Sequence, residues 1–345
     1  MNSLERCIAA INFKIPDRVP VIPQDSQFAA YFAGYDMIEF SKEPKKIALA
    51  QIECCKKFGF DGIIMGPDAV ILAEAMGAEV ELSETESPKY RGGCLKKLED
   101  VQKLKKIDPW KDGRLHVWLE AIRLIVESVG KEVLVIGRAD QGAFSCASQV
   151  RGISNFLLDI AIGEKKELIH ELLKYCNESV LEFIKAIKSV GAHITTIGDS
   201  ISGPDVISPK DYSEYSFPYE KILTEEVKKL GIGFSIHICG NTDVIFDKWL
   251  QTGADIFEID HKTNFKEARK KSLGKVCLLG NLDTSSVLFQ GTPKLVKEKA
   301  KEIIDICMPF SGLILSSGCL IGGTTPYENI QALADSAKEF GVFKN

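Results

Sequence analysis

Short runs of apolar, β-branched residues recur along this chain, and between them the apolar positions fall at helical spacing. The runs are "RVPVIP" (18–23), "FDGIIMG" (60–66), "EVLVIG" (132–137), "AHITTIG" (192–198), "IGFSIHI" (232–238), "ADIFEI" (254–259), "KVCLLG" (275–280) and "GLILSS" (312–317). Continuous apolar runs of this length read as strands buried on both faces. The stretches between them, such as "KEPKKIALAQIECCKKFG" and "TPKLVKEKAKEIIDIC", carry amphipathic helical patterns, and several end in glycine just before the next run. Eight strands alternating with helices predict a (β/α)8 TIM-type barrel. An open doubly wound sheet is the competitor, but no run is followed by the G-x-G-x-x-G turn of that fold.

Nothing in the chain resembles a linker, a low-complexity segment or a repeat, so residues 1–345 are expected to form a single domain. The first 17 residues read as an N-terminal helical extension capped by Ser3, with Leu4, Cys7, Ile8 and Ile11 on one face. "GAEVELSETESPKYRGG" (77–93) reads as a hairpin-like insertion after the second strand.

Composition narrows the function classes. The chain is 45% hydrophobic and 26% charged with a formal net charge of −5, an ordinary soluble balance. Its lysine-rich stretches, "KKLEDVQKLKK" and "KEARKKS", are mixed with acids at helical spacing and read as solvated helix faces, which argues against a nucleic-acid partner. No apolar stretch reaches the length of a membrane span, and the N-terminus has no secretory signal pattern, so a cytoplasmic location is expected. There the ten cysteines stay reduced, and Cys7, Cys54, Cys55, Cys146, Cys176, Cys277 and Cys307 fall in apolar patterns as core residues. A homodimer would need an exposed apolar helix face, and the pattern locates none.

Barrel enzymes place their chemistry at the carboxyl ends of the strands. Here those ends carry Asp68, then Arg138 and Asp140, then Asp199 and Ser200, then His237 and Cys239, then Glu258, Asp260 and His261, then Asn281 and Asp283, and last Ser317 and Cys319. Strand side chains alternate with period two, so His237 and Cys239 share a face. Zinc takes imidazole and thiolate ligands, and a catalytic zinc has three from the protein with a fourth position open. His237, Cys239 and Cys319 form such a set if the shared face looks into the mouth. The pair reads equally as a core histidine beside an inert thiol, and spacing alone does not choose.

"DRVPVIP", "FGFDGIIMGPDAVILAEAMGAEV", "HICGNTDVIF", "GADIFEIDH", "LLGNLDTSSVLFQGTP" and "LSSGCLIGGTTPYENIQAL" resemble the uroporphyrinogen decarboxylase superfamily, in that order and across essentially the whole chain. The His-x-Cys…Cys set resembles the corrinoid-linked zinc methyltransferases of the methylcobamide:coenzyme M type. That resemblance implies a (β/α)8 barrel, zinc on His237, Cys239 and Cys319, and methyl transfer between a corrinoid on a partner protein, such as methylcobalamin, and a small thiol. It also implies a mouth open to a corrinoid domain, with the loops after strands one to four as its rim.

A ligating histidine gives its other N–H to a carboxylate or carbonyl, which marks Asp199, Glu258 and Asp260 as candidate catalytic or orienting groups. Asp68, Asp140, Asn281 and His261 are the candidate substrate-binding residues. An alternative reading is demethylation of a methoxylated aromatic or a methylamine-type donor by the same scaffold. A decarboxylase-type lyase is a further one, with Asp68 at the decarboxylases' aspartate position. Against the lyase, "PQDSQFAAYFAGYD" has no arginine where the decarboxylases bind porphyrinogen carboxylates. A non-catalytic zinc-stabilised barrel is the remaining alternative.

Overall fold

The computed structural model describes residues 1–66 and 68–343. Seven parallel strands form one curled sheet: β1 (Gly62–Met65), β4 (Leu134–Gln141), β5 (Ile194–Gly198), β6 (Gly233–Ile238), β7 (Ile256–Ile259), β8 (Cys277–Leu282) and β9 (Leu313–Ser317). They lie side by side in sequence order, with helices between them, in the TIM-type arrangement. The expected insertion is a two-stranded antiparallel hairpin, β2 (Glu79–Glu81) with β3 (Lys89–Gly92).

The first expected strand, 18–23, is not a ladder strand. Pro20 and Pro23 have no N–H to give, so the segment makes one parallel bridge, Val21 to Leu315. Ile22 N donates to Leu315 O at 3.0 Å, Leu315 N to Pro20 O at 2.8 Å, and on the other side Asp61 N to Val21 O at 2.8 Å. The segment therefore lies between the two edges of the sheet, β9 and β1.

Alternation sorts the strand residues into two cores. Ile22, Ile64, Leu134, Ile136, Ile194, Ile256, Leu279 and Ile314 meet in the barrel interior, while Ile63, Val135, Ile236, Ile238, Phe257 and Leu315 pack outward under the helices. The N-terminal helix, Ser3–Ile11, is part of this body and no appendage, for Cys7 is fully buried in the interior cluster. Its cap is Asn2, which forms a capping box with Glu5. Ser3 instead donates to Asp61 Oδ1 at 2.8 Å.

Asp61 ties that end together. Its buried carboxylate takes Arg6 and Arg18, each at 2.7 Å, and Val21 N at 2.8 Å. No helix among the described residues is long and apolar enough to cross a membrane.

Candidate metal centre

Along β6, Phe234, Ile236 and Ile238 face outward, so Ser235 and His237 face the interior, and Cys239 follows as the first residue past the strand. Gly240 then turns the chain at φ +86°. A Cβ there would stand 2.5 Å from Asp205 Oδ2, so only glycine fits the turn. Cys319 arrives from the loop after β9. His237 Nε2 lies 3.2 Å from Cys239 Sγ and 3.8 Å from Cys319 Sγ, and the three donor atoms fall within 4.8 Å of one another.

Those separations suit a tetrahedral zinc. Zn–N and Zn–S bonds of normal length place donors about 3.6 Å (N to S) and about 3.8 Å (S to S) apart. The tautomer is also set: His237 Nδ1 meets the backbone carbonyl of Glu258 at 3.0 Å. With its hydrogen spent there, the Nε2 lone pair faces the sulfurs. The two thiols are coupled. Cys239 is held below the usual thiol range because Cys319 donates to it. Cys319 is pushed up to about 12 by being that donor, and next by burial. A cation would replace the proton between them. Both cysteines are half-buried, whereas His237 is buried.

The histidine's orienting group is thus a main-chain carbonyl, and the Glu258 side chain does something else. It accepts from Thr196 Oγ1, from Ser235 Oγ at 2.8 Å and from Arg138 Nη2 at 3.1 Å, forming a buried layer under the three candidate ligands. Period two already puts Ser235 on the face of His237, and Thr196 and Arg138 on the inner faces of β5 and β4. That parity is the signal that extends the site below its ligands.

The other candidates divide. Asp260 accepts from Gly240 N at 3.0 Å and Lys262 N at 2.9 Å, so it fixes the loop carrying Cys239. Asn281 donates to Asp260 O at 3.1 Å and braces the same loop. His261, on the rim, has Nδ1 at 3.1 Å from Asp260 and Nε2 at 3.6 Å from Asp283. Asp68 is occupied by Val70 N at 3.1 Å and Arg114 Nη1 at 2.9 Å. Asp140 is fully buried at φ +63°, a conformation uncommon outside glycine, with Oδ2 taking Leu72 N at 2.7 Å and Oδ1 unpartnered among the described residues. Burial, and next the charge of Asp68, push it up to about 8.

Asp199 points away from the three candidate ligands. Its carboxylate accepts from Ser145 N at 2.8 Å and from Ser216 Oγ at 3.0 Å, capping the helix Ala143–Arg151 whose own N-cap is Gly142. A Cβ on Gly142 would come 2.7 Å from the Asp199 Cγ. Behind it lies Glu220, which accepts from Tyr212 at 2.7 Å and whose Oε1 stands 3.1 Å from Ser216 Oγ. Burial raises Glu220 to about 8, with Asp199 adding to the effect.

The folded state thus keeps a proton that the unfolded chain releases near 4.5. This contribution to stability is full below that value and is lost as pH rises through about 8. Urea midpoints measured across this range should fall more for the wild type than for Glu220→Gln, which stays neutral throughout. Parallel curves would refute the assignment.

With this geometry in view, the relatives are informative. Residues 2–340 match the uroporphyrinogen decarboxylase (URO-D) family, and the chain belongs to it. It is 30% identical over 283 residues to the methylcobamide:CoM methyltransferase MtbA of Methanosarcina acetivorans, covering 82% of this chain and 80% of that one. It is 27% identical over 309 residues to the uroporphyrinogen decarboxylase of Carboxydothermus hydrogenoformans, covering 88% and 86%. A solved methyltransferase from Methanosarcina mazei superposes with a TM-score of 0.90 over 99% of both chains at 24% identity, which establishes the shared fold.

Proposed function

We propose that this chain is a zinc-dependent methyltransferase that moves a methyl group between a corrinoid carried by a partner protein and a small thiol. The observation that carries the reading is the convergence of one imidazole and two thiols with the histidine's tautomer already fixed. Two half-buried cysteines leave the set short of a closed structural site with four protein ligands. The methyltransferase relatives support the same class of reaction.

Zinc bound by His237, Cys239 and Cys319 would supply the positive charge that lets an incoming thiol lose its proton near neutral pH. The chain's own part is to hold the histidine by the Glu258 carbonyl and the Cys239 loop by Asp260 and Asn281. In the transfer, the cobalt–carbon bond breaks with its electron pair left on cobalt. A sulfur–carbon bond forms, and the thiol proton passes to solvent. We place the whole chain, as one domain, in the cytoplasm.

The decarboxylase reading has less support, although decarboxylases are among the relatives. Both Asp68 oxygens are engaged, and Arg138 and Arg114 already face carboxylates, so the mouth has little charge to spare for an acidic tetrapyrrole.

The test is spectroscopic. Zinc-loaded protein mixed with methylcobalamin and a small thiol should convert the methylcobalamin spectrum to that of demethylated cobalamin, with the thioether as product. Absence of thiol-dependent demethylation, together with demethylation of an aryl methyl ether by cob(I)alamin, would move the assignment to the O-demethylase reading.

A further inference from the structure

The outer wall of the barrel carries a groove that methyl transfer does not use. It lies between the helices Lys166–Ser189 and Phe217–Leu230 and holds about 530 Å³, a volume in the range of small-molecule sites. Pro218, Tyr219 and Ile222 of the second helix give it an apolar side. The other side is one stripe of the first helix, because Glu167, His170, Glu171, Lys174, Asn177 and Glu178 recur at three- and four-residue spacing. None of these residues belongs to the candidate metal centre.

What the stripe leaves over is acceptors. Asn177 is more than nine-tenths buried, yet its Oδ1 has no hydrogen-bond partner among the described residues. Buried polar groups are normally satisfied, so this side chain in the groove wall lacks a donor. Tyr219 gives its hydroxyl hydrogen to the main-chain carbonyl of His170 at 3.1 Å. His170 Nδ1, 2.9 Å from the same hydroxyl, is therefore the donor of that pair, and Nε2 of the neutral ring is an acceptor. Glu167 and Glu171 form no ion pair among the described residues, whereas Lys174 has Glu178 at 4.0 Å to offset its charge. The imidazole also stacks on Tyr215 and Tyr219, with ring centroids 5.2 and 6.1 Å apart.

We infer that this groove is a second binding site and that it takes a small organic cation, an apolar body bearing an amidinium, guanidinium or ammonium head. The head brings donors to Asn177 Oδ1 and positive charge to Glu167 and Glu171. The body covers Pro218, Tyr219 and Ile222, and a cation beside stacked aromatic rings gains further attraction. An anion would meet two carboxylates that no base offsets. A neutral amide would satisfy Asn177 and leave the charge unmatched.

The test is isothermal titration of the whole chain with benzamidine, benzamide and benzoate, three probes of one shape and different charge. Benzamidine should bind once per chain, at least about tenfold tighter than benzamide, the lower end for a hydrogen bond to a charged group. Benzoate should bind weakest. The advantage of benzamidine should shrink at high salt, since the carboxylates sit at the surface.

Asn177→Leu and Ile222→Lys should each abolish the preference, the first by removing the acceptor and the second by setting a tethered ammonium in the groove. Ile222 is 49% exposed, so its replacement spares the core and is the deciding variant should Asn177→Leu fail to fold. Equal binding of the three probes, or benzamidine binding undiminished in Ile222→Lys, would overturn the inference and leave the Asn177 acceptor to water.

Discussion

Cys319→Ala, purified beside the wild type, is expected to hold no stoichiometric zinc and to show no thiol-dependent demethylation of methylcobalamin, with its circular dichroism unchanged. The reason is geometric. Cys319 is the one proposed donor that does not come from the β6 segment, so its loss leaves a histidine and a cysteine two residues apart, 3.2 Å from each other. Two ligands on one short segment cannot close a three-point site. Cys239→Ala should fail in the same way. Cys277→Ala, which removes a fully buried thiol from the bottom cluster, should keep its metal. Metal analysis of the three variants decides the matter. Full zinc in Cys319→Ala and Cys239→Ala would remove the proposed centre, whatever the activity.

Asp61→Ala is expected to be the most damaging single substitution for stability far from the site. The carboxylate is fully buried between Arg6 and Arg18, and it also accepts from Ser3 Oγ and Val21 N. Removing one partner of a buried ion network strands the others and costs about 3–5 kcal/mol. Here it would also release two parts of the barrel at once, the N-terminal helix and the 18–23 segment that lies between the sheet edges. Urea unfolding should show the loss as a lower midpoint, with Asp61→Asn between the two because it can still accept from Val21 N. A loss under about 1 kcal/mol, the scale of an exposed pair, would show that the network is not cooperative.

Particular residues show what could be read in advance. The seven sheet strands follow from short β-branched runs, which no other element buries as well, and the insertion at 77–93 follows from its alternation and turn residues. "RVPVIP" has the same apolar character, but two prolines deny it a ladder. That it still lies between β9 and β1 depends on partners far along the chain. Period two along β6 pairs His237 with Cys239, and the same parity turns Asp199 outward, since Thr196 and Gly198 take the inner face of β5. A strand-end acid is therefore no guide to the mouth unless its parity is counted. The Glu258 carbonyl that orients His237 has no signature in the sequence, because every residue has a carbonyl.

By itself the sequence determined the periodicities: which residues are buried, which face each strand side chain takes, and that an imidazole and a thiol stand on one face of one strand. Only the tertiary structure decided that Cys319 meets them, that Arg138 crosses to Gln24 and Glu258, and that Asp199 serves a helix. Alternation and helical spacing are local properties of the backbone, fixed within a few residues. Contacts across the barrel depend on register and closure, which the whole sheet sets together.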